Sequence, residues 1–206
     1  MSAGTELDDE LRQHFERGDF DRTATLFLER YGREILGFLC DRMRSETRGA
    51  DVFSMFAEDF WRGLPSFGWR SSLRAWAYAL ARNSAYRYTH APEQRAHLRT
   101  FSDESPFGME VMRLRTGTHV YEKTETKSRM RELREGLSEE DQTLLVLRVD
   151  RGLSYQEIAV VLCGTEDLEG DALRRQVANL RQRFQHVKSR LRSLAVQAGL
   201  LGGDSP

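Results

Sequence analysis

The chain has 206 residues, 39% of them hydrophobic and 31% charged, with a formal net charge of −1. That length suits one or two compact units, each able to bury its own core. It holds no apolar run near the roughly 20 residues that cross a bilayer, so no membrane insertion is expected. Its two cysteines, Cys40 and Cys163, stand alone, which excludes a disulfide framework or a zinc site by spacing and fits a reducing compartment. The first residues lack the basic start and apolar run of a secretory signal, and a cytoplasmic location is expected.

Helical periodicity dominates throughout, so the expected fold is all-α. Residues 6 to 17 read as a short helix ended by Gly18, within an N-terminal extension over 1–20. A longer helix begins at Asp21, its stripe carried by Leu26, Phe27, Tyr31, Ile35, Phe38, Leu39 and Met43. A polar break, Ser45 to Gly49, precedes a second helix with Val52, Phe53, Phe56, Phe60, Trp61 and Leu64, which Pro65 stops. Ser71 and Ser72 are candidate N-caps for a third helix running to about Tyr88. These helices make a first domain over 21–90. Residues 91–120 lose the periodicity and carry Pro92, Pro106, Gly108 and Gly117. They read as a flexible linker with room for one short helix.

A second helical domain is expected over 121–198. Ser138 starts a helix bearing Leu144, Leu145, Leu147 and Val149, and Gly152 closes it with a left-handed cap. Ser154-Tyr155-Gln156-Glu157 forms a capping box for the next helix. An acidic turn, Thr165 to Asp171, leads to a long final helix. Its apolar positions Leu173, Val177, Leu180, Phe184, Val187, Leu191 and Leu194 recur in steps of four and three. Residues 199–206 read as a disordered tail.

Three constellations carry chemistry. Between Ala172 and Leu194 the final helix has Arg174, Arg175, Arg181, Arg183, Lys188, Arg190 and Arg192 and no acid. A short helix, a turn and a basic helix make a helix-turn-helix layout, whose second helix enters the major groove. The arginine fork suits guanine edges and phosphates, whereas a solvated coiled-coil face would mix both signs. In the second constellation, Trp69 to Pro92 holds Arg70, Arg74, Arg82 and Arg87 with Trp69, Trp76, Tyr78, Tyr86 and Tyr88, and no carboxylate. Each ring taken singly reads as core. The basic face as a whole reads as a surface for unpaired nucleic acid, where cations neutralise the backbone and rings stack on bases. Third, Phe53, Phe56, Phe60 and Trp61 exceed one buried stripe, which leaves a protein-binding face and internal packing equally open. The five histidines, His14, His90, His97, His119 and His186, have neither ligand nor triad spacing, and no phosphate loop appears. No catalytic residue, metal or cofactor is expected, and the chain does not read as an enzyme.

Leu64-Pro65-Ser66-Phe67 followed by Ser71 through Asn83 resembles region 2 of bacterial sigma factors of the extracytoplasmic-function group. Phe27 to Gly32 and Ala50 to Trp61 fall where that family places its earlier helices. Leu137 to Leu162, with Gly152-Leu153-Ser154-Tyr155-Gln156-Glu157-Ile158-Ala159, resembles its region 4. The resemblance implies a monomeric partner of core RNA polymerase and promoter DNA, held in check by an anti-sigma factor or other inhibitory partner. By position it puts Ser71, Ser72, Arg74, Trp76, Arg82, Asn83 and Arg87 at the −10 strand. It puts Arg174, Arg175, Gln176, Ala178, Asn179 and Arg181 at the −35 duplex, and Asp51, Val52, Ser54, Met55 and Trp61 at the polymerase contact. The chain departs from the family pattern at Ser54, where a glutamine is usual, and in the length of the turn from Cys163 to Asp171. A family-like string, Val187-Lys188-Ser189-Arg190-Leu191, offers a second register. The alternative reading is a dimeric helix-turn-helix regulator that acts on duplex operators without polymerase, with the apolar seam of the final helix as its dimer interface. A third is an interaction protein that keeps the fold and has lost promoter activity.

Overall fold

A computed structural model describes residues 3–91, 104–117, 132–164 and 169–200, and its regular elements there are all helical. The chain divides into two compact units, Met1–Thr118 and His119–Pro206. Among the described residues no helix is long and apolar enough to cross a membrane.

In the first unit, α1 (Ala3–Glu16) ends at Gly18, whose φ of +75° lets the chain turn. Asp19 caps α2 (Phe20–Phe27) by accepting from the Arg22 amide. The long helix expected from Asp21 is α2 and α3 (Arg33–Met43) joined through one wide π-helical turn, Leu28–Gly32. Arg44 adopts a left-handed conformation at φ 50°, and Ser45 then caps α4 (Glu46–Gly63) by accepting from the Arg48 amide. The polar stretch 45–49 is thus the cap and first turn of α4 rather than a break. Gly49 sits in it because α3 crosses there: a Cβ would lie 2.6 Å from the Cα of Cys40. After the 3-10 turn Leu64–Ser66, Ser72 caps α5 (Leu73–His90) by accepting from the Ala75 amide at 3.1 Å.

The core of this unit is aromatic. Phe27 stacks on Phe60 with centroids 4.5 Å apart, Phe60 meets Trp76 at 5.3 Å, and Tyr78 stands edge-on to Phe38. Phe53, Phe56 and Phe60 are all fully buried, so the ring surplus of α4 is internal packing. Each such ring contributes about 2–3 kcal/mol through burial. Segments read as lying outside the first domain also pack on it. Leu11 of α1 is buried, and Phe15 lies edge-on to Phe20, Phe67 and Trp69. In the expected linker, Ser105 and Pro106 start α6 (Pro106–Thr116), which buries Phe107, Val111 and Leu114 against α2, the π turn, α3 and α4. A stripe of three apolar residues was too short to stand out from its proline- and serine-rich surroundings.

The second unit begins, among the described residues, with a helical turn at 132–135. The helix expected from Tyr121 falls largely outside them. Ser138 caps α7 (Glu139–Leu145), which continues through a π-helical turn, Val146–Asp150, to Gly152 at φ +68°. Ser154 and Glu157 form the expected capping box at the start of α8 (Tyr155–Cys163): each side chain accepts from the other residue's amide, at 3.2 and 2.8 Å. Gly164 ends α8, and α9 (Gly170–Gln197) follows; residues 165–168 of the acidic turn lie outside the described residues. Leu144, Leu147, Ile158, Ala159 and Val161 are fully buried. Val187 joins Leu137 and Leu145 in a cluster flanked by Phe184 and Leu191. The residues of the tail after Leu200 lie outside the described residues.

Candidate functional site

The outer face of α9 follows from its inner one. Leu180 and Val187 are buried, with Leu173, Val177, Phe184 and Leu191 half-buried on the same side. The opposite side exposes Arg174, Arg175, Ala178, Asn179, Arg181, Gln182, Gln185 and His186, a continuous stripe at helical spacing. Five of the six residues expected at a −35 duplex share this stripe. Gln176 does not; it is half-buried on the apolar flank. Gln182, Gln185 and His186 extend the face and were missed, although their offsets of 8, 11 and 12 from Arg174 place them there.

The cations of α9 divide into two kinds. Arg183 donates to Asp141 at 2.6 Å and to Glu140 at 2.7 Å on α7, and these hydrogen bonds raise its pKa further. Arg190 reaches the Gly136 carbonyl at 3.3 Å. Both hold the unit together. Arg181 lies over the ring of Tyr155, which also carries Arg148 at 4.8 Å, so α8 is tied to α9 by a ring between two guanidinium groups. Arg174 pairs with Asp171 one turn back, both highly exposed, a pairing worth little in water. These exposed cations can meet a polyanion without unmaking the core.

On α5 the expected −10 residues are mostly committed inward. Arg74 donates to Glu34 at 2.8 Å, and Tyr78 donates to the same carboxylate at 2.8 Å. Arg87 and Ser84 both donate to Asp59 of α4. Trp76 is wedged between Phe60 and Phe67 and over Gly63. Ser72 is exposed but serves as the helix cap, Ser71 is half-buried beside it, and Arg82 is half-buried. Asn83 is open to solvent. On its face lie Tyr86, 59% exposed, and His90, stacked on Tyr86 with centroids 4.1 Å apart. The histidine of this pair carried no signal in sequence, since only the helix brings positions 83, 86 and 90 together.

Of the residues expected at a polymerase contact, Val52, Ser54 and Met55 are buried. Asp51 is half-exposed and accepts from the Tyr88 hydroxyl at 3.4 Å. Trp61 is 40% exposed and donates its indole N–H to Asp21 at 2.7 Å. Among the described residues no cluster of His, Cys, Asp and Glu could hold a metal ion.

Fold and surface together define an all-α protein of two units, the second presenting a long basic helix behind a short one. The chain is 26% identical over 167 residues to the RNA polymerase sigma-H factor of Pseudomonas aeruginosa, covering 76% of this chain and 83% of that protein. This distant likeness supports a place in the sigma-factor family. Neither unit alone is long enough to supply it, since the larger ends at Thr118. No family model and no solved structure matches the chain.

Proposed function

We infer that the chain is a sigma factor of the extracytoplasmic-function group. It binds core RNA polymerase in the cytoplasm and directs initiation at a subset of promoters, with no catalytic chemistry of its own. The observation that carries this reading is the pairing of the open basic stripe on α9 with a sigma-factor likeness too long for one unit. Residues 121–198 act as region 4: α8 and α9 are a helix-turn-helix, and Arg174, Arg175, Ala178, Asn179 and Arg181 face the −35 duplex in the major groove. Residues 21–90 act as region 2, with α5 capturing the melted −10 strand through Asn83 and Arg82 and through the rings beside them. Core polymerase meets α4 around Asp51 and Trp61, the two residues of that group that reach the surface. An inhibitory partner covers one of these faces when the factor is idle.

The dimeric-regulator alternative needs the apolar seam of α9 for a second copy. That seam is already filled by its own unit at Leu180 and Val187, which favours a monomer. Gel filtration separates the two. The sigma reading expects a one-to-one complex with purified core polymerase and no footprint on DNA without it. A dimer that footprints a palindrome in the absence of polymerase overturns it.

A further inference from the structure

Arg174 and Arg181 share the open stripe of α9, two turns apart, yet they are held differently. Arg174 pairs with Asp171 on its own helix, and a pair that exposed is screened by salt. Arg181 is met from another helix: its guanidinium lies over the ring of Tyr155, 5.7 Å from the centroid. That ring is a fixed point. Tyr155 is the first residue of α8, where the capping box of Ser154 and Glu157 sets the backbone. The helix behind it is anchored by Ile158, Ala159 and Val161, all fully buried. Phe184 stands edge-on to the ring at 6.2 Å. From the π-helical turn Val146–Asp150, Arg148 brings a second guanidinium to 4.8 Å from the ring centroid and donates to the Leu153 carbonyl at 2.8 Å. Tyr155 is half-buried and Arg181 is exposed, so the ring is the anchored partner and the guanidinium the projecting one.

We propose that Tyr155 is a positioning residue for promoter reading: its ring, fixed by the start of α8 and by Arg148, sets the direction in which Arg181 presents its guanidinium to the −35 duplex. The proposal rests on the sigma-factor reading and adds to it a residue that acts through another. An arginine free to sample its rotamers loses that freedom on binding, which weakens an interface by about 3- to 10-fold per side chain. The Tyr155 ring restricts Arg181 before DNA arrives. The contact also strengthens where DNA excludes water from it. Its loss is therefore felt more in the complex than in the stability of the free chain.

The test is a double-mutant cycle on the full chain with purified core polymerase: Tyr155→Leu, Arg181→Ala and both together, with Tyr155→Phe as the control that keeps the ring. The probe is the duplex that the parent chain and core polymerase enrich from a random-sequence pool, compared with the same duplex scrambled in its upstream part. Tyr155→Leu is expected to lower the preference for the enriched duplex by about 3- to 10-fold with little change in Tm. Tyr155→Phe should stay near the parent, and Tyr155→Leu should add nothing once Arg181 is alanine. An equal loss with and without Arg181, or an equal loss for Tyr155→Phe, makes Tyr155 a packing residue and overturns the proposal. So does an Arg181→Ala variant that loses no preference. If Tyr155→Leu does not fold, nitrogen relaxation of the arginine Nε–H groups in the parent chain decides. Arg181 is expected to be more ordered than Arg175, and equal mobility overturns the proposal. Enrichment of no sequence by the parent chain overturns the sigma-factor reading itself, and the positioning role with it.

Discussion

The two units use similar arginines in opposite ways. In the first, Arg74 and Arg87 look as free along α5 as any residue of α9, yet each meets a carboxylate 40 or 28 positions away, Glu34 or Asp59. On α9 of the second, Arg183 is drawn inward in that manner, to Glu140 and Asp141, whereas Arg175 stays on the open stripe. The difference lies in what surrounds each helix. α5 is packed against α3 and α4, which bring acids to its flanks. α9 packs on α7 and α8 along one side, and its outer side stays exposed at Arg175, Ala178, Asn179 and Gln182. A run of cations without acids in sequence therefore says little about charge available to a ligand; packing decides.

The sharpest way to break the comparison is through the cores. Phe60→Ala, at the centre of the aromatic stack of the first unit, is expected to destabilise it by about 3–5 kcal/mol. Urea denaturation should show that loss in the first unit's transition alone. Next in size, Arg175→Ala is expected to leave stability unchanged and to weaken −35 duplex binding by about 1–3 kcal/mol. Titrations at several salt concentrations should also give a shallower slope. Unchanged affinity for both Arg174→Ala and Arg175→Ala would contradict the placement of the recognition surface. Arg183→Ala should do the reverse, with a stability loss of about 1 kcal/mol or less, because its side chain is more than a third exposed. Duplex binding by that variant should change far less than by Arg175→Ala.

The smallest effect concerns the two thiols. Burial, then the charges of Asp41 and Glu46, push the Cys40 thiol up to about 11 from its ordinary 9.0. The folded state thus holds this proton more tightly than the unfolded chain. The associated stability is present below pH 9.0 and is lost as the pH rises toward about 11. At pH 8, iodoacetamide should label the exposed Cys163 and spare Cys40. Equal labelling of both would mean that the α3–α4 crossing at Gly49 is looser than described.

Much of the fold was legible because it rests on local rules. Ser138, Ser154 and Gly152 sit at the caps their residue types announce, and the apolar stripe of α9 faces its own unit as its spacing requires. What escaped depends on contacts between distant segments. The π turn at Leu28–Gly32 breaks no apolar spacing, and Gly32 gains its meaning only when Leu114 arrives against it. Phe53, Phe56 and Phe60 overfill a single stripe in sequence, but α2, α3 and α5 surround α4 and bury them all. The stripe of α9 could be drawn from periodicity, whereas on α5 the face of Asn83, Tyr86 and His90 emerged once Arg74 and Arg87 had found their acids.

The central claim is that the two units read two promoter elements for one polymerase. Run-off transcription, with the purified chain and core polymerase on a genomic fragment library, tests it most directly when transcript starts are mapped. The account predicts starts that share a two-part upstream motif, with Arg175→Ala relaxing the distal part and Asn83→Ala the proximal part. Active core and folded protein that yield no specific starts would contradict it.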